Sequence, residues 1–164
     1  MNSIENSLQM VNLRLRRAQP RQQRLRNVLI VGLDEDRNDF LDYLDIHVKK
    51  SVKGVNYRWK NRNLMSMPYK CTPRPEVITQ THVVVYFVDC EKEETFQVAQ
   101  MYSNMHLHVE HHFIVAVNYD EKIVGKSKLF KDLYKTFHVQ IFDGDLDYDV
   151  VESHLKQLTK RKSN

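Results

Sequence analysis

The chain has 164 residues, with 41% hydrophobic and 28% charged side chains. These values are ordinary for one globular domain with a single core. Its apolar runs are too short to cross a bilayer, and the first residues lack the apolar stretch of a signal peptide. Two cysteines, Cys71 and Cys90, are too few for a disulfide-rich secreted fold. The composition therefore predicts an intracellular protein of the cytosol or nucleus.

The formal net charge of +4 is unevenly distributed along the chain. Residues 1–26 carry six arginines against one acid, Glu5, so residues 27–164 together are close to neutral. We predict a flexible basic tail over residues 1–26, a folded domain over residues 27–160 and a short C-terminal tail over residues 161–164. A near-neutral domain disfavours nucleic-acid binding by the domain itself. The basic tail is compatible with contacts to nucleic acid, although disorder combined with nuclear import is the interpretation we prefer.

The apolar pattern predicts strands that alternate with helices. The strands are continuous β-branched runs, as in a sheet buried on both faces, and the helices have apolar residues at helical spacing. In chain order the predicted elements are a strand at 27–32, a helix at 34–50, one or two short strands within 51–76, a strand at 81–89, a helix at 91–104, a strand at 112–117, a helix at 127–137, a strand at 138–142 and a helix at 147–158. This order predicts an α/β fold with a mostly parallel sheet and helices on both faces.

The first strand ends in V-G-L-D-E-D-R-N-D, where a phosphate-binding loop G-x-x-x-x-G-K-[ST] would lie. An alignment on Gly32 places Arg37, Asn38 and Asp39 at the positions of the second glycine, the lysine and the hydroxyl residue. The aspartates and the glutamate of this segment would repel phosphate, and the required lysine is missing. We therefore predict that the nucleotide-binding motifs are degenerate and that the chain binds no nucleotide here.

Two further fragments resemble nucleotide motifs. Residues 120–127 read D-E-K-I-V-G-K-S, one residue away from the phosphate-loop pattern, but Ser127 is equally typical of the start of the next helix. Asn118 stands where the first residue of N-K-x-D would be, and the D-x-x-G motif does not occur between residues 45 and 80. These fragments give no independent support for nucleotide binding.

Possible metal ligands occur in two clusters. The histidines at positions 106, 108, 111 and 112 are compatible with zinc, or with a solvated turn before a strand. The aspartates at positions 143, 145, 147 and 149 suggest calcium, but their spacing is better explained by a turn and a helix N-cap. No nucleophile–base triad is present. We predict no catalytic, cofactor-binding or metal-binding residue, and hence no enzyme.

The segment N-V-L-I-V-G-L-D resembles the first strand and loop of Ras-like and ADP-ribosylation-factor-like GTPases. An intact sheet that lacks its phosphate loop resembles the centromere protein M family, whose members are GTPase-like subunits of the inner kinetochore. The resemblance includes the acidic lysine-free loop, a segment ending P-R-P, the strand V-V-V-Y-F-V-D, and the spacing of M-H-L-H-V-E-H-H-F-I-V-A-V and H-V-Q-I-F-D-G-D-L-D. The arginine-rich tail departs from the family pattern.

The resemblance implies a small-GTPase-like fold and a structural role as a pseudo-GTPase scaffold. Such a subunit acts in the nucleus, at the centromere and kinetochore of the chromosome, in kinetochore assembly and chromosome segregation during cell division. The implied partners are centromere protein I and the associated H and K subunits, with no small-molecule substrate and no membrane. The alternative is a divergent small GTPase that retains nucleotide binding and acts as a switch in trafficking or signalling.

A protein-binding subunit needs a contact surface. The sequence suggests one where the predicted helix at 91–104 leads into the predicted strand at 112–117. The large apolar residues Tyr102, Met105, Leu107 and Val109 alternate there with histidines and polar residues, as in exposed interface patches. We predict that these four side chains form the partner interface. The alternative is that they pack in the core.

Overall fold

The computed structural model describes residues 25–46, 55–69, 71–105, 109–119, 122, 138–142 and 145–160. Within these residues the chain forms strands and helices in the order β1 (Arg26–Val31), α1 (Asp34–Tyr43), β2 (Val55–Trp59), β3 (Arg62–Ser66), α2 (Pro75–Gln80), β4 (Val83–Asp89), α3 (Glu93–Met105), β5 (His111–Val117), β6 (His138–Ile141) and α4 (Tyr148–Leu158). None of the helices described is long and apolar enough to cross a membrane. The predicted helix at 127–137 and most of the basic tail lie outside the described residues.

The strands form one sheet in the order β2–β3–β1–β4–β5–β6. β2 is antiparallel to β3, and every other neighbouring pair is parallel. This confirms the predicted mostly parallel sheet. Because β1, β3, β4, β5 and β6 run in the same direction, their carboxyl ends meet at one edge of the sheet and their amino ends at the other. We call these two edges the carboxyl edge and the amino edge.

Two hydrophobic clusters cover the two faces of the sheet, as predicted. Alternate strand residues such as Leu29 and Tyr86 pack on one face with residues of α3, and their neighbours, such as Val85, pack on the other face with α1 and α4. All seven residues of β4 are buried, which explains why its sequence is a continuous apolar run. Each fully buried side chain of this size contributes about 1.5–3 kcal/mol.

Helix α1 is shorter than the sequence predicts, because it ends at Tyr43 rather than near residue 50. Asp45 adopts a left-handed conformation with φ of 61°. Its N–H donates to the Asp42 carbonyl oxygen, and the N–H of Ile46 donates to that of Leu41. This is the Schellman ending of a helix, which usually has glycine at the left-handed position. Aspartate tolerates that conformation, so the sequence lacks the usual stop signal.

The segment predicted as irregular contains a hairpin and a short helix. β2 and β3 are joined through Lys60 and Asn61, which have φ values of 43° and 63°. Two consecutive positive φ angles are those of a type I′ turn, the tight connection that matches the twist of a hairpin. Helix α2 then begins with Pro75 in its first turn, a position where the missing N–H of proline costs nothing. The two strands confirm the prediction for this segment, and the helix was missed.

At the amino edge, His82 joins the starts of three strands. The backbone N–H of Asn27 donates to Nδ1 of His82 at 3.0 Å, and the N–H of His82 donates to the Asn27 carbonyl oxygen at 2.9 Å. The His82 carbonyl oxygen accepts from the N–H of His111 at 3.2 Å. Burial and the nearby Arg26 lower the pKa of His82, whereas Glu110 acts in the opposite direction. The imidazole must be neutral to accept through Nδ1.

We expect His82 to make the stability of the protein fall as the pH falls. Its pKa is lower in the folded protein than the ordinary value of 6.5, so the unfolded chain binds more protons as the pH drops below that value. The stabilisation is present above the unfolded pKa and is lost as the pH falls through the folded pKa. Urea unfolding across this range measures it. In His82→Asn the amide oxygen replaces Nδ1 without titrating, so this variant should show a weaker pH dependence. Equal pH dependence in both proteins would contradict the assignment.

Candidate functional site at the carboxyl edge of the sheet

At the carboxyl edge, β1 continues almost directly into α1. Only Gly32 and Leu33 separate the strand from the helix, and Leu33 is the N-cap residue without a side-chain cap. The predicted phosphate-loop segment is therefore largely the first turn of α1. That turn carries Asp34, Glu35 and Asp36. Carboxylates are favoured at a helix N-terminus because they face its free N–H groups and positive dipole end.

Gly32 is required by a close approach between β1 and β4. Its φ is 146°, a conformation that residues with a side chain rarely adopt. A Cβ atom at this position would lie 2.9 Å from Cβ of Phe87 and 3.0 Å from the Phe87 carbonyl oxygen. Gly32, which aligns with the first glycine of a phosphate loop, thus has a structural role: it allows the end of β1 to pack against β4.

The guanidinium of Arg37 fills the space between the ends of β1 and β3. Its Nε–H donates to the Gly32 carbonyl oxygen at 3.0 Å, and its two terminal nitrogens donate to Oγ of Ser66 and to the Asp34 carboxylate. The residue is only 5% exposed. Burial lowers the pKa of Arg37 and the Asp34 carboxylate opposes that effect. Asp34 also accepts from the backbone N–H of Tyr69 at 3.2 Å. Nothing in the sequence pattern indicated that Arg37 is buried.

Negative charge dominates around this pair. Burial raises the pKa of Asp36, and the neighbouring carboxylates of Asp89 and Glu35 raise it further, whereas Lys92 acts in the opposite direction. The part of this shift that comes from Asp89 and Glu35 indicates that these carboxylates disfavour more negative charge here. An anionic ligand entering at this point would have to compete with Asp34 for Arg37.

A second polar group links the ends of β4 and β5. Oδ1 of Asp89 accepts from Nδ2 of Asn118 at 3.1 Å and from the N–H of Glu91 at 3.0 Å. The Thr95 hydroxyl donates to the Asp89 carbonyl oxygen and accepts from the Asp89 N–H. Asn118, with φ of 53°, is held in the left-handed conformation that asparagine tolerates. The residue at the base-recognition position is thus part of a hydrogen-bonded network that fixes the start of α3.

The proposed interface residues do not form an exposed patch in the described part of the chain. Tyr102 is 1% exposed and its hydroxyl donates to the Cys71 carbonyl oxygen. Val109 is 7% exposed, and Met105 is half-buried against the same core cluster. Leu107 lies outside the described residues. The three described side chains follow the alternative of packing in the core, because Tyr102 shares the inner face of α3 with Val98 and packs toward the sheet.

The remaining candidates have structural roles where they are described. His112 Nδ1 lies 2.9 Å from the hydroxyl of Tyr86, and the two rings stack. Asp147 is the N-cap of α4, as the sequence predicts, and its carboxylate accepts from the N–H of Asp149 at 3.0 Å. His106, His108, Asp143 and Ser127 lie outside the described residues. No group of three His, Cys, Asp or Glu side chains in the described ranges is arranged to hold a metal ion.

We expect Arg37→Met to destabilise the protein by about 2–4 kcal/mol, because it leaves the Gly32 carbonyl, the Ser66 hydroxyl and part of Asp34 without their donor. Solvent screens the ion pair with the exposed Asp34, so most of this loss comes from the buried contacts to Gly32 and Ser66. Urea unfolding monitored by circular dichroism measures the change. Arg58→Met is the matched control, since Arg58 is exposed, and should change stability by about 0.5 kcal/mol or less. Equal stability of the two variants would show that the buried guanidinium does not hold this edge together.

No protein family and no curated protein matches the sequence. Solved structures do match. A probable GTP-binding protein engB has a TM-score of 0.56 at 11% identity, covering 81% of this chain and 98% of that chain. The FeoB G-domain from Methanococcus jannaschii has a TM-score of 0.51 at 11% identity, covering 83% of this chain and 98% of that chain.

These matches correct one prediction made from the sequence. Both matched structures belong to the GTP-binding class, whose members include GTPases, so the prediction that the chain is not an enzyme is wrong as it stands. At this identity the likeness establishes the fold and leaves the activity open. The chain has the Ras-like α/β fold of a G-domain.

Proposed function

We propose that this chain is a protein-binding subunit of the inner kinetochore, similar to centromere protein M, that joins a helical-repeat partner of the centromere protein I type and the associated H and K subunits. The resemblance of the sequence motifs supports the assembly, and the G-domain fold is compatible with it. One observation carries the proposal of protein binding. The outer side of α3 exposes an apolar side chain that the fold does not use.

Among the described residues, Tyr43 and Met101 are the large apolar side chains that remain exposed, at 38% and 37%. Tyr43 stacks on Tyr148, and its hydroxyl donates to Asp149 and Glu152, so its ring belongs to the packing of α1 on α4. Met101 lies on α3 one turn before the half-buried Met105. The two therefore lie on neighbouring positions of the helix surface. Methionine is a flexible anchor that suits a protein interface. This surface lies on the same helix as the interface predicted from the sequence and shares Met105 with it.

We expect Met101→Glu to weaken recovery of the helical-repeat partner at least tenfold, as for the loss of an interface anchor, while the melting temperature changes little. The tagged full-length protein is purified from cells in parallel with Gln157→Glu, which introduces the same charge on the exposed side of α4. Recovery is quantified by mass spectrometry. Unchanged recovery from a folded Met101→Glu protein would exclude this surface. If the wild-type protein recovered no kinetochore subunit and did not localise to centromeres, the proposed assembly would be wrong.

A second candidate is a nucleotide-dependent switch, and the similarity to GTP-binding domains favours it. In this function the nucleotide would approach the carboxyl edge, where the strand ends of a doubly wound sheet usually form the site. Phosphate would then replace Asp34 as the partner of Arg37.

Calorimetry with GTP, GDP and ATP in the presence of Mg²⁺ tests the switch. A GTPase switch should give saturable binding of GTP and GDP, in preference to ATP, and phosphate release on incubation with GTP. Arg37→Met should then lower the affinity for GTP by more than tenfold, because the only buried cation described at the edge is removed. The switch is excluded if neither guanine nucleotide produces a heat of binding with the folded wild-type protein.

A further inference from the structure

The amino edge of the sheet carries a cluster of cations that neither function uses. The tip of the β2–β3 hairpin meets the end of α4 there, and together they form a surface that we call the basic end. Its described members are Lys60, Arg62, Lys156 and Lys160. Both termini of the described domain leave from the same edge, because β1 begins and α4 ends there.

Arg62 holds the two parts of the basic end together. Its guanidinium donates to Oγ1 of Thr159, to the Lys156 carbonyl oxygen at 3.4 Å and to the Lys60 carbonyl oxygen at 2.8 Å. The guanidinium carbon also lies 5.2 Å from the ring centroid of Trp59. A cation near the last carbonyls of a helix is favoured by the helix dipole. The hairpin tip is thereby fixed against the C-terminus of α4.

This arrangement brings two lysines to one carboxylate. Nζ of Lys60 lies 3.5 Å from Oε1 of Glu152, and Nζ of Lys156 lies 3.2 Å from the same atom. The lysine side chains remain 58% and 43% exposed, so both are accessible to a ligand. One acid compensates only part of the charge of the two lysines, and with Arg62 and Lys160 the basic end stays positive.

We propose that the basic end binds the phosphate backbone of nucleic acid. Charge of one sign at one end of the domain is the electrostatic footprint of such a site. In the sequence, the six arginines of residues 1–26 precede or begin β1, and Arg161 and Lys162 follow Lys160. This proposal departs from the inference that the near-neutral domain disfavours nucleic acid, because the net charge of the domain does not show how the charges are distributed on its surface.

The phosphate backbone of a nucleic acid, with its regularly spaced charges, fits this surface better than an acidic protein does. Protein interfaces centre on apolar anchors, but Trp59 is only 6% exposed and the described residues of the basic end offer no exposed aromatic or aliphatic group. Interfaces with nucleic acid are polar and strongly positive. The proposal is independent of the kinetochore assembly and of nucleotide binding.

The test measures the affinity of the full-length protein for a labelled DNA duplex of about 20 base pairs. Fluorescence anisotropy gives this affinity at several salt concentrations. The double substitution K60Q with K156Q should reduce affinity at least tenfold. It should also lower the slope of log K against log salt by about 2, because each neutralised phosphate contributes about 0.9 to that slope. The lysine-to-arginine pair K60R with K156R should keep both the affinity and the slope. The control pair K92Q with K122Q removes the same charge away from the basic end and should bind like the wild type.

Circular dichroism must show that each variant is folded. If K60Q with K156Q bound the duplex like the wild type, or if the wild type did not bind, the proposal would be wrong. An equal loss of affinity in both glutamine pairs would also overturn the proposal, since such a loss would reflect net charge alone.

Poly-L-glutamate serves as the second probe. If the substitutions abolished binding of poly-L-glutamate but not of DNA, the basic end would be a site for an acidic protein instead.

Discussion

The buried guanidinium of Arg37 is the interaction on which the carboxyl edge depends. A buried cation is stable only when its N–H groups have acceptors, and the chain supplies them from the end of β1, the end of β3 and the first turn of α1. Those three contacts fix where α1 begins relative to the sheet. One of the acceptors is the carbonyl oxygen of Gly32, the residue whose missing side chain lets the end of β1 pack against Phe87.

The polarity of the domain has the same structural origin as its fold. Helices that connect parallel strands run opposite to them, so their N-termini lie at the carboxyl edge and their C-termini at the amino edge. Acids occupy the first turns of α1 and α3, and Lys156 lies in the last turn of α4, as the helix dipoles favour. Helix capping thus explains the acidic edge. The basic end comes instead from the β2–β3 hairpin tip and from α4, because α1 and α3 have no basic residue in their last turn.

The sequence was sufficient to predict the sheet but not the ends of its helices. β4 is buried on both faces, so its apolar run has no other interpretation, and the same holds for the inner part of β5. The end of α1 could not be predicted because Asp45, not glycine, takes the left-handed position. Helix α2 was missed because a six-residue helix has too few turns to show a period, although Pro75 was a usable signal.

The candidate site was harder to predict than the fold, since it depends on contacts between residues far apart in sequence. Arg37 meets Ser66 across 29 positions, and an arginine within a run of acids normally indicates a solvated surface. For Tyr102 the sequence left an interface and core packing both open. Polar neighbours suggest exposure, but Ser103 is buried beside Tyr102 and its hydroxyl donates to the Gln100 carbonyl oxygen within the helix.

Arg37 also determines how far the two candidate functions exclude one another. Asp34 is 67% exposed, so its ion pair with Arg37 is partly solvated and costs little to exchange for another anion. The contacts to Gly32 and Ser66 are buried, and they would keep the guanidinium in place during such an exchange. Helix α3 starts from the Asp89, Thr95 and Asn118 network, which has no described hydrogen bond to Arg37. The scaffold and switch functions use different parts of the domain, but Arg37 lies within electrostatic reach of α3. Burial raises the pKa of Tyr102 in that helix, and the charge of Arg37 acts in the opposite direction.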